Sequence, residues 1–261
     1  MNEFESLQVQ FDVITITKNC VQRITETLNS VSSQTYQNIN HIIIDGNSCD
    51  ETVNTINKFS HTKKITLYQQ NGSGIANAFN TGLSKASGNL VIFLNAGDIF
   101  VDQDVIENII NSYFKNSWLW AFGETISISR KGYLKRHIRQ HEEWRQELFL
   151  YGNPICHQST IFTKEILDEV GLYNELLPLG MDYDFNIRAS LIEEPHLLRF
   201  PISYYEITGV SSMKVFQAYK AHSDIRKRYF IYTNHRNFQI DTIGFSKAIK
   251  RFLMIPLKLY L

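Results

Sequence analysis

In the first hundred of 261 residues, β-rich runs alternate with helical patterns, and this alternation constrains the fold more than any other feature of the chain. FDVITIT (11–17) is followed by Val21, Ile24, Thr25, Leu28 and Val31 at helical spacing. HIII (41–44) is followed by Val53, Ile56 and Phe59. ITLY (65–68) is followed by Ile75, Ala78, Phe79, Gly82, Leu83 and Ala86, which lead into LVIFL (90–94). Such a β-α-β-α series predicts the α/β class, with a mostly parallel, Rossmann-like central sheet flanked by helices. A hydrophobic content of 43% is enough for a substantial core at this length. In sheets of this kind ligands bind beyond the carboxyl ends of the strands, so the polar residues there carry the functional information.

Those residues are Thr15, Thr17 and Asn19 after the first strand, Asp45 to Ser48 after the second, and Asn95 to Asp98 after the fourth. Each group alone is also a good turn or helix cap. Three such groups at one sheet edge, two of them with a glycine that permits close backbone approach, point to a ligand cleft. A dinucleotide-dependent oxidoreductase would need G-x-G-x-x-G after the first strand, where TKNCVQ has no glycine. A nucleotidyltransferase would need a Gly-rich, basic triphosphate loop there. A non-catalytic binding protein remains an alternative, because Asn95 to Asp98 carries a single acid.

No stretch reaches the roughly 18 apolar residues that a bilayer span needs. The start, MNEFESLQVQ, carries acids where a secretory signal would be basic, so a cytoplasmic location is expected. The odd number and wide spacing of Cys20, Cys49 and Cys156 favour reduced thiols over disulfides or a zinc site. Charge is uneven. Of 26 Lys/Arg and 26 Asp/Glu, residues 214–261 hold ten and two, leaving sixteen and twenty-four before them. A basic tail on an acidic body suggests peripheral contact with an anionic membrane surface, with a solvated helix face as the alternative.

The segments ITITKN (14–19), IIIDGNSCDET (42–52), GSGIANAFNTGLSKASGNLVIFLNAGD (72–98) and GMDYDFNIR (180–188) occur in the order typical of family 2 glycosyltransferases. The chain resembles that family over about residues 10 to 195, and the enzymes it is most similar to build bacterial surface polysaccharides such as capsule or O-antigen. The resemblance implies the GT-A fold, a nucleotide-diphosphate sugar donor, and inversion at the anomeric carbon. It places a nucleotide-sugar domain over 1–210, with a donor half at about 10–100 and an acceptor half at 101–210. Residues 211–261 form a basic helical extension.

On the same basis, Thr15, Thr17 and Asn19 match the first nucleotide-contacting segment, and Asp45 matches the residue that accepts a hydrogen bond from the base, commonly uracil. Asp98 is the expected ligand of Mg²⁺ or Mn²⁺, because a divalent cation offsets the charge of the leaving diphosphate and one carboxylate suffices when phosphate oxygens and water complete the shell. Asn95 stands where the family often has an Asp and suits a hydrogen bond to ribose or sugar. Gly74 and Asn77 lie where related sequences read Asp-x-Gly-Ile-Tyr-Asp; both acids and the Tyr are absent here, which leaves the donor sugar open. Asn80 and Gly82 are better suited to helix packing.

An acceptor hydroxyl that attacks the anomeric carbon must lose its proton, and Asp182 matches the family's general base. Asp182 and Asp184 lie about 200° apart on a helix, so only one can face the cleft. Asp184 can pair with Arg188 four residues on. His157 sits near the expected diphosphate or acceptor, with a structural bond to a backbone carbonyl as the alternative. A hairpin is expected over TISIS, RKG and YLKRHI. The tail is read as helical to about residue 236, then as GFSKAIKRFLMIPLKLYL with Pro256 ending any helix. Phe245, Ile249 and Phe252 share one face of that segment, suited to a membrane surface, to the domain itself or to a homodimer. The expected partners are a nucleotide-sugar donor and a glycan or lipid-linked acceptor; no nucleic-acid partner is expected.

Overall fold

The structure is a computed structural model that describes residues 9–60, 65–128, 135–138, 143–206 and 214–260, without the side chains of 135–138, 206 and 254–260. In chain order the elements are β1 (Phe11–Thr17), α1 (Val21–Ser32), β2 (Ile39–Asp45), α2 (Thr52–Ser60), β3 (Ile65–Gln69), α3 (Ile75–Leu83) and β4 (Leu90–Phe93). Then come β5 (Ile99–Phe100), α4 (Val105–Asn116), β6 (Trp120–Ile128), β7 (Lys135–Ile138) and β8 (Thr160–Thr163). The chain continues with α5 (Lys164–Val170), α6 (Met181–Ile192), β9 (His196–Glu206), α7 (Val215–Tyr229) and α8 (Asn234–Tyr260).

The described strands form one mixed sheet in the order β3-β2-β1-β4-β8-β6-β9-β5, with β7 on β6. The first four strands are mutually parallel, as the alternating pattern predicts. β8 runs antiparallel to β4. Its start therefore lies at β4's carboxyl end, which adds a fourth segment to the ligand edge.

Both faces of the parallel half are apolar because both are covered. Phe11, Val13, Leu90 and Ile92 pack with Ile106, Ile109 and Ile110 on one side, while Ile14, Val91 and Phe93 pack with Phe79, Phe162 and Phe185 on the other. Gly82 lets α3 approach β1: a Cβ there would meet Ile14 Cγ2 at 2.5 Å. Asp12 is fully buried in β1. Its carboxylate accepts hydrogen bonds from the backbone N–H of Ser87 and Gly88, both 2.7 Å, locking the turn before β4.

The expected hairpin is present as β6 paired antiparallel with β7, while RKG lies outside the described residues. Two expectations about the tail need correction. The helix stops at Tyr229, not near 236, because Phe230 is extended and Thr233 starts a new helix by accepting from Arg236 N at 3.3 Å. That new helix, α8, then runs through Pro256 to Tyr260. A proline so close to a helix end removes one backbone donor from the ladder, and the rest of the turn persists. The two C-terminal helices pack on each other and on the body: Tyr219 donates to Asp241 O at 2.8 Å, and Asp241 is paired with Arg226 at 3.0 Å and Lys227 at 2.7 Å.

Candidate active site

The three strand-end loops are bonded into one edge. Gly46 N donates to Thr17 O at 2.8 Å and Ala96 N to Ile16 O at 3.1 Å. Asn19, in a left-handed conformation at φ 50°, joins the first two loops: its N–H donates to Ser48 Oγ at 2.8 Å, and its Oδ1 accepts from Cys49 N at 2.8 Å. Asp45 ends β2 nearly buried, with its carboxylate accepting from Ser48 N at 2.9 Å and Ser48 Oγ at 2.5 Å. Thr15 is placed differently from its neighbours. It is fully buried two residues before the strand end, and its hydroxyl donates to Leu94 O at 2.7 Å and contacts His41 Nε2 at 2.9 Å. Its side chain ties three strands together rather than lining the cleft.

Asp98 follows a tight turn in which its N–H donates to Asn95 O at 2.9 Å and Gly97 adopts φ 99°. Thr27 of α1 clamps this turn, accepting from Gly97 N and donating to Asp98 O, both at 2.9 Å. Burial pushes the Asp98 carboxyl up to about 8; a hydrogen bond from Gln158 and the charge of Arg23 act against that rise. Arg23 in the first turn of α1 lies along Gly97: its Cζ would be 3.6 Å from a Cβ there. Neither Arg23 nor His41 stands out in the sequence, because each acts across an interval that no local pattern records.

Three of the residues singled out above hold buried polar atoms with no hydrogen-bond partner among the described residues: Thr17 Oγ1, Asn95 Oδ1 and His157 Nδ1. Each such atom costs about 1–3 kcal/mol when left unsatisfied. Thr17 and Asn95 sit at the ends of adjacent strands. His157 arrives from the start of β8, stacked on Phe79 at 4.6 Å, with Nε2 3.0 Å from Tyr173 Oη. Burial lowers the imidazole to about 4, against the attraction of Asp182, so His157 is neutral at physiological pH. It can bond a ligand but brings no charge to a phosphate.

Gly74 begins α3 at φ 90°, with open space where a side chain would stand. Asn77 faces across the cleft: Oδ1 accepts from Gln70 Nε2 at 3.0 Å, and Nδ2 donates to Glu175 Oε2 at 3.1 Å. Glu175 also accepts from Asn80 Nδ2 at 2.8 Å, and these bonds hold its carboxyl below the usual range. Sequence reading missed Glu175, which lies 98 residues from Asn77.

The two acids of α6 separate as their spacing requires. Asp184 is buried and paired: Arg188 Nε donates to Oδ2 at 3.0 Å and Tyr229 Oη to Oδ1 at 2.8 Å. Asp182 is partly exposed, and its Oδ2 accepts from Asn153 Nδ2 at 2.9 Å. Its charge is felt at His157, Tyr173 and His222. Asn153 precedes Pro154 and gave no separate signal in the sequence.

The carboxyl of Asp98 is a hard oxygen donor of the kind that fits Mg²⁺ or Mn²⁺, and its burial at the strand-end turn is the observation that supports the fit. No group of three His, Cys, Asp or Glu that could hold a metal exists among the described residues. The three cysteines are free. No helix among the described residues is long and apolar enough to cross a membrane.

Comparison with known proteins agrees with this geometry. An uncharacterized glycosyltransferase of Mycobacterium tuberculosis is 29% identical over 229 residues, 83% of this chain and 84% of that one. A PGL/p-HBAD biosynthesis glycosyltransferase of Mycobacterium bovis is 25% identical over 212 residues, 77% and 79% of the two chains. Among solved structures, S. aureus TarS 1-349 in complex with UDP superposes with a TM-score of 0.68 at 17% identity, covering 95% of this chain and 75% of that one. The mannosyltransferase PcManGT from Pyrobaculum calidifontis, in complex with GDP-Man and Mn²⁺, gives 0.65 at 18% identity, covering 96% and 72%. These likenesses identify the fold as GT-A. The sequence profile described as Glycosyl transferase family 2 matches residues 12–170, more than half of the chain, and the chain belongs to that family.

Proposed function

We propose that this glycosyltransferase moves a hexosyl or N-acetylhexosaminyl group from a UDP-sugar to a hydroxyl of a growing, lipid-linked surface polysaccharide, with inversion. The observation that carries the donor half of this reading is the pair of partnerless polar atoms on Thr17 and Asn95, at the ends of adjacent strands, with the buried carboxyl of Asp98 three residues beyond Asn95. Unsatisfied polar atoms at strand ends support a polar ligand there. Asp45 is the candidate for the base, and Asn19 holds its loop. The likeness to TarS, solved with UDP, supports a uridine donor.

In the reaction, the acceptor oxygen forms a bond to the anomeric carbon from the face opposite the diphosphate. The bond from that carbon to the phosphate oxygen breaks, and the acceptor proton passes to an oxygen of Asp182. Asn153 fixes that carboxylate from the side, and Asp184 anchors the helix through Arg188 and Tyr229. Asp98 would hold the divalent cation, which neutralises charge on the leaving diphosphate when bound, and Asn95 is the candidate for a hydrogen bond to the ribose or sugar. Arg23 adds a second positive group beside the same turn.

The exposed side chains of Phe245, Ile249 and Phe252 on α8 support peripheral contact with the cytoplasmic face of a membrane, close to a lipid-linked acceptor. The decisive experiment is a screen of nucleotide diphosphates and their sugars for thermal stabilisation with and without Mn²⁺. A ligand at a hundred times its dissociation constant stabilises by about 2.7 kcal/mol. UDP should stabilise and GDP should not; absence of stabilisation by any nucleotide would sink the reading.

A further inference from the structure

Helix α6 carries the proposed base, yet its N-cap is Gly180, a residue with no side chain to cap the first turn. Gly180 is held at φ 77°, and the turn is closed by a backbone bond from Asp184 N to Gly180 O at 2.9 Å. Packing around this turn therefore decides how it is held.

The packing comes from α7. His222, Ile225 and Tyr229 recur at i, i+3 and i+7, which puts them on one face of that helix. All three meet α6. A Cβ on Gly180 would lie 3.0 Å from Ile225 Cδ1 and 3.1 Å from His222 Cδ2, so α7 sits close against this glycine. The His222 ring stands 4.5 Å from the Tyr183 ring, and Tyr229 Oη donates to Asp184 Oδ1 at 2.8 Å. These contacts fall on both sides of Asp182 along the chain.

Tyr183 links the packing to the base. It follows Asp182 directly and is 1% exposed. Its hydroxyl donates to Phe149 O at 2.5 Å, in the 3-10 turn Gln146–Tyr151, and the loop after that turn supplies Asn153, whose Nδ2 bonds Asp182 Oδ2. Asp182 and its neighbour are thus tied to one stretch of chain by two bonds, and the seat of the Tyr183 ring governs how they align. His222 backs that ring. Burial lowers the His222 imidazole, Asp182 opposes that fall and Arg251 adds to it, so the ring is neutral near physiological pH and feels the charge of the base. His222, Tyr183 and Asn153 together line a cavity of about 250 Å³. Truncating His222 would enlarge that space and leave the Tyr183 ring unsupported on this side.

We propose that His222 is a positioning residue for the reaction: its ring, seated against Tyr183 and Gly180, holds the first turn of α6 and with it the carboxylate of Asp182 in the orientation that accepts a proton. The inference rests on the glycosyltransferase reading above, with Asp182 as base. It gives the C-terminal extension a part in catalysis besides any contact with a membrane.

The test compares His222→Ala, which removes the ring, with His222→Phe, which keeps a flat ring and loses both nitrogens. Three quantities are measured: hydrolysis of UDP-glucose and UDP-N-acetylglucosamine in Mn²⁺, with water in place of the acceptor hydroxyl; UDP affinity by calorimetry; and hydrogen exchange of the Asp184 amide, which closes the turn. His222→Ala should lower kcat about ten- to a hundredfold, as a misplacement near 1 Å does, while KM and UDP affinity stay within about twofold. Its Asp184 amide should exchange faster. His222→Phe should recover most of kcat and of the protection. Retained UDP affinity reports that each variant is folded; should His222→Ala not fold, His222→Leu, which fills the space without a flat ring, takes its place with the same expectations. The proposal is overturned if the variant keeps full kcat, if the loss lies in KM or UDP affinity, if protection at Asp184 is unchanged, or if His222→Phe is equally impaired, which would assign the role to the ring nitrogens. If the unaltered chain hydrolyses neither donor, or if Asp182→Asn hydrolyses normally, the reading of the reaction is what fails, and exchange at Asp184 still decides whether His222 holds the turn.

Discussion

Asn153 Nδ2 donates a 2.9 Å hydrogen bond to Asp182 Oδ2, joining the loop before β8 to the first turn of α6. Asp184, one position beyond Tyr183, has both oxygens engaged by Arg188 and Tyr229 and is 2% exposed. Two carboxylates two residues apart thus stand differently: one is left partly exposed and the other fastens the helix.

Asp182→Asn and Asp184→Asn should therefore fail in different ways. The first removes the proposed proton acceptor and should lower transfer by roughly 10²- to 10⁴-fold with little change in UDP affinity. The second leaves Arg188 without its buried partner and should cost about 3 kcal/mol of stability. Steady-state transfer and urea unfolding on both variants separate the two. The assignment is reversed if Asp184→Asn is stable and inactive while Asp182→Asn stays active.

Asp98→Asn tests the opposite combination, a gain in stability with a loss of function. Burial disfavours the charged form of this carboxyl, so a neutral amide of the same shape should fold at least as well. Mn²⁺-dependent UDP binding should fall steeply. Unchanged metal-dependent binding would remove Asp98 from the metal site.

The strand-end edge of the candidate site was largely legible in the sequence because it is local. Strand ends, glycines and short polar side chains mark Thr17, Asp45 and Asn95 within a few residues of an apolar run. The pairing of Asp184 with Arg188 was legible for the same reason, since i,i+4 spacing fixes which helical residues meet. What was hidden depends on chain crossings. Glu175 reaches Asn77 and Asn80, Arg23 reaches the Asp98 turn, and Asn153 reaches Asp182, each across an interval with no periodic signature. β5, two residues long, and the closing strand β9 are held by pairing with each other and with β6. The cavity of about 250 Å³ beside Asn153 belongs to no single segment. Its lining comes from the 3-10 turn Gln146–Tyr151, the loop that follows it and three helices.

His41 makes the stability pH-dependent. Thr15 Oγ1 gives its proton to Leu94 O, so the 2.9 Å contact with His41 Nε2 requires the ring nitrogen to donate. Complete burial lowers this imidazole to about 3. The unfolded chain takes up the proton near 6.5, so the unfolded state binds more protons below that value. Its stabilising contribution is complete above pH 6.5 and is lost as the pH falls from 6.5 toward 3, at up to about 1.4 kcal/mol per pH unit. His157, lowered to about 4, adds to the same trend. Urea midpoints should fall between pH 7.5 and 5, and His41→Gln, which keeps a donor but does not titrate, should flatten the slope. An unaltered slope would assign the acid sensitivity to other groups.

The last prediction concerns the outer face of α8. Phe245, Ile249 and Phe252 are 46%, 40% and 51% exposed, with Leu253 beside them at 65%. Phe216 of α7 packs against Phe245 and Phe252 at 5.9 and 5.3 Å between ring centroids, extending the patch across two helices. Lys247, Lys250 and Arg251 of the same segment are exposed as well. Binding to vesicles should therefore combine apolar insertion with electrostatic attraction, and salt should weaken it only in part. Replacing Phe245, Ile249 and Phe252 together by Ser should abolish sedimentation with vesicles of phosphatidylglycerol and phosphatidylethanolamine. UDP affinity should be retained, because these side chains lie away from the strand-end cleft. If the triple variant still sediments, the membrane assignment fails. If the unaltered chain never sediments but is dimeric by light scattering, and the variant is monomeric, a second copy of the chain covers this face.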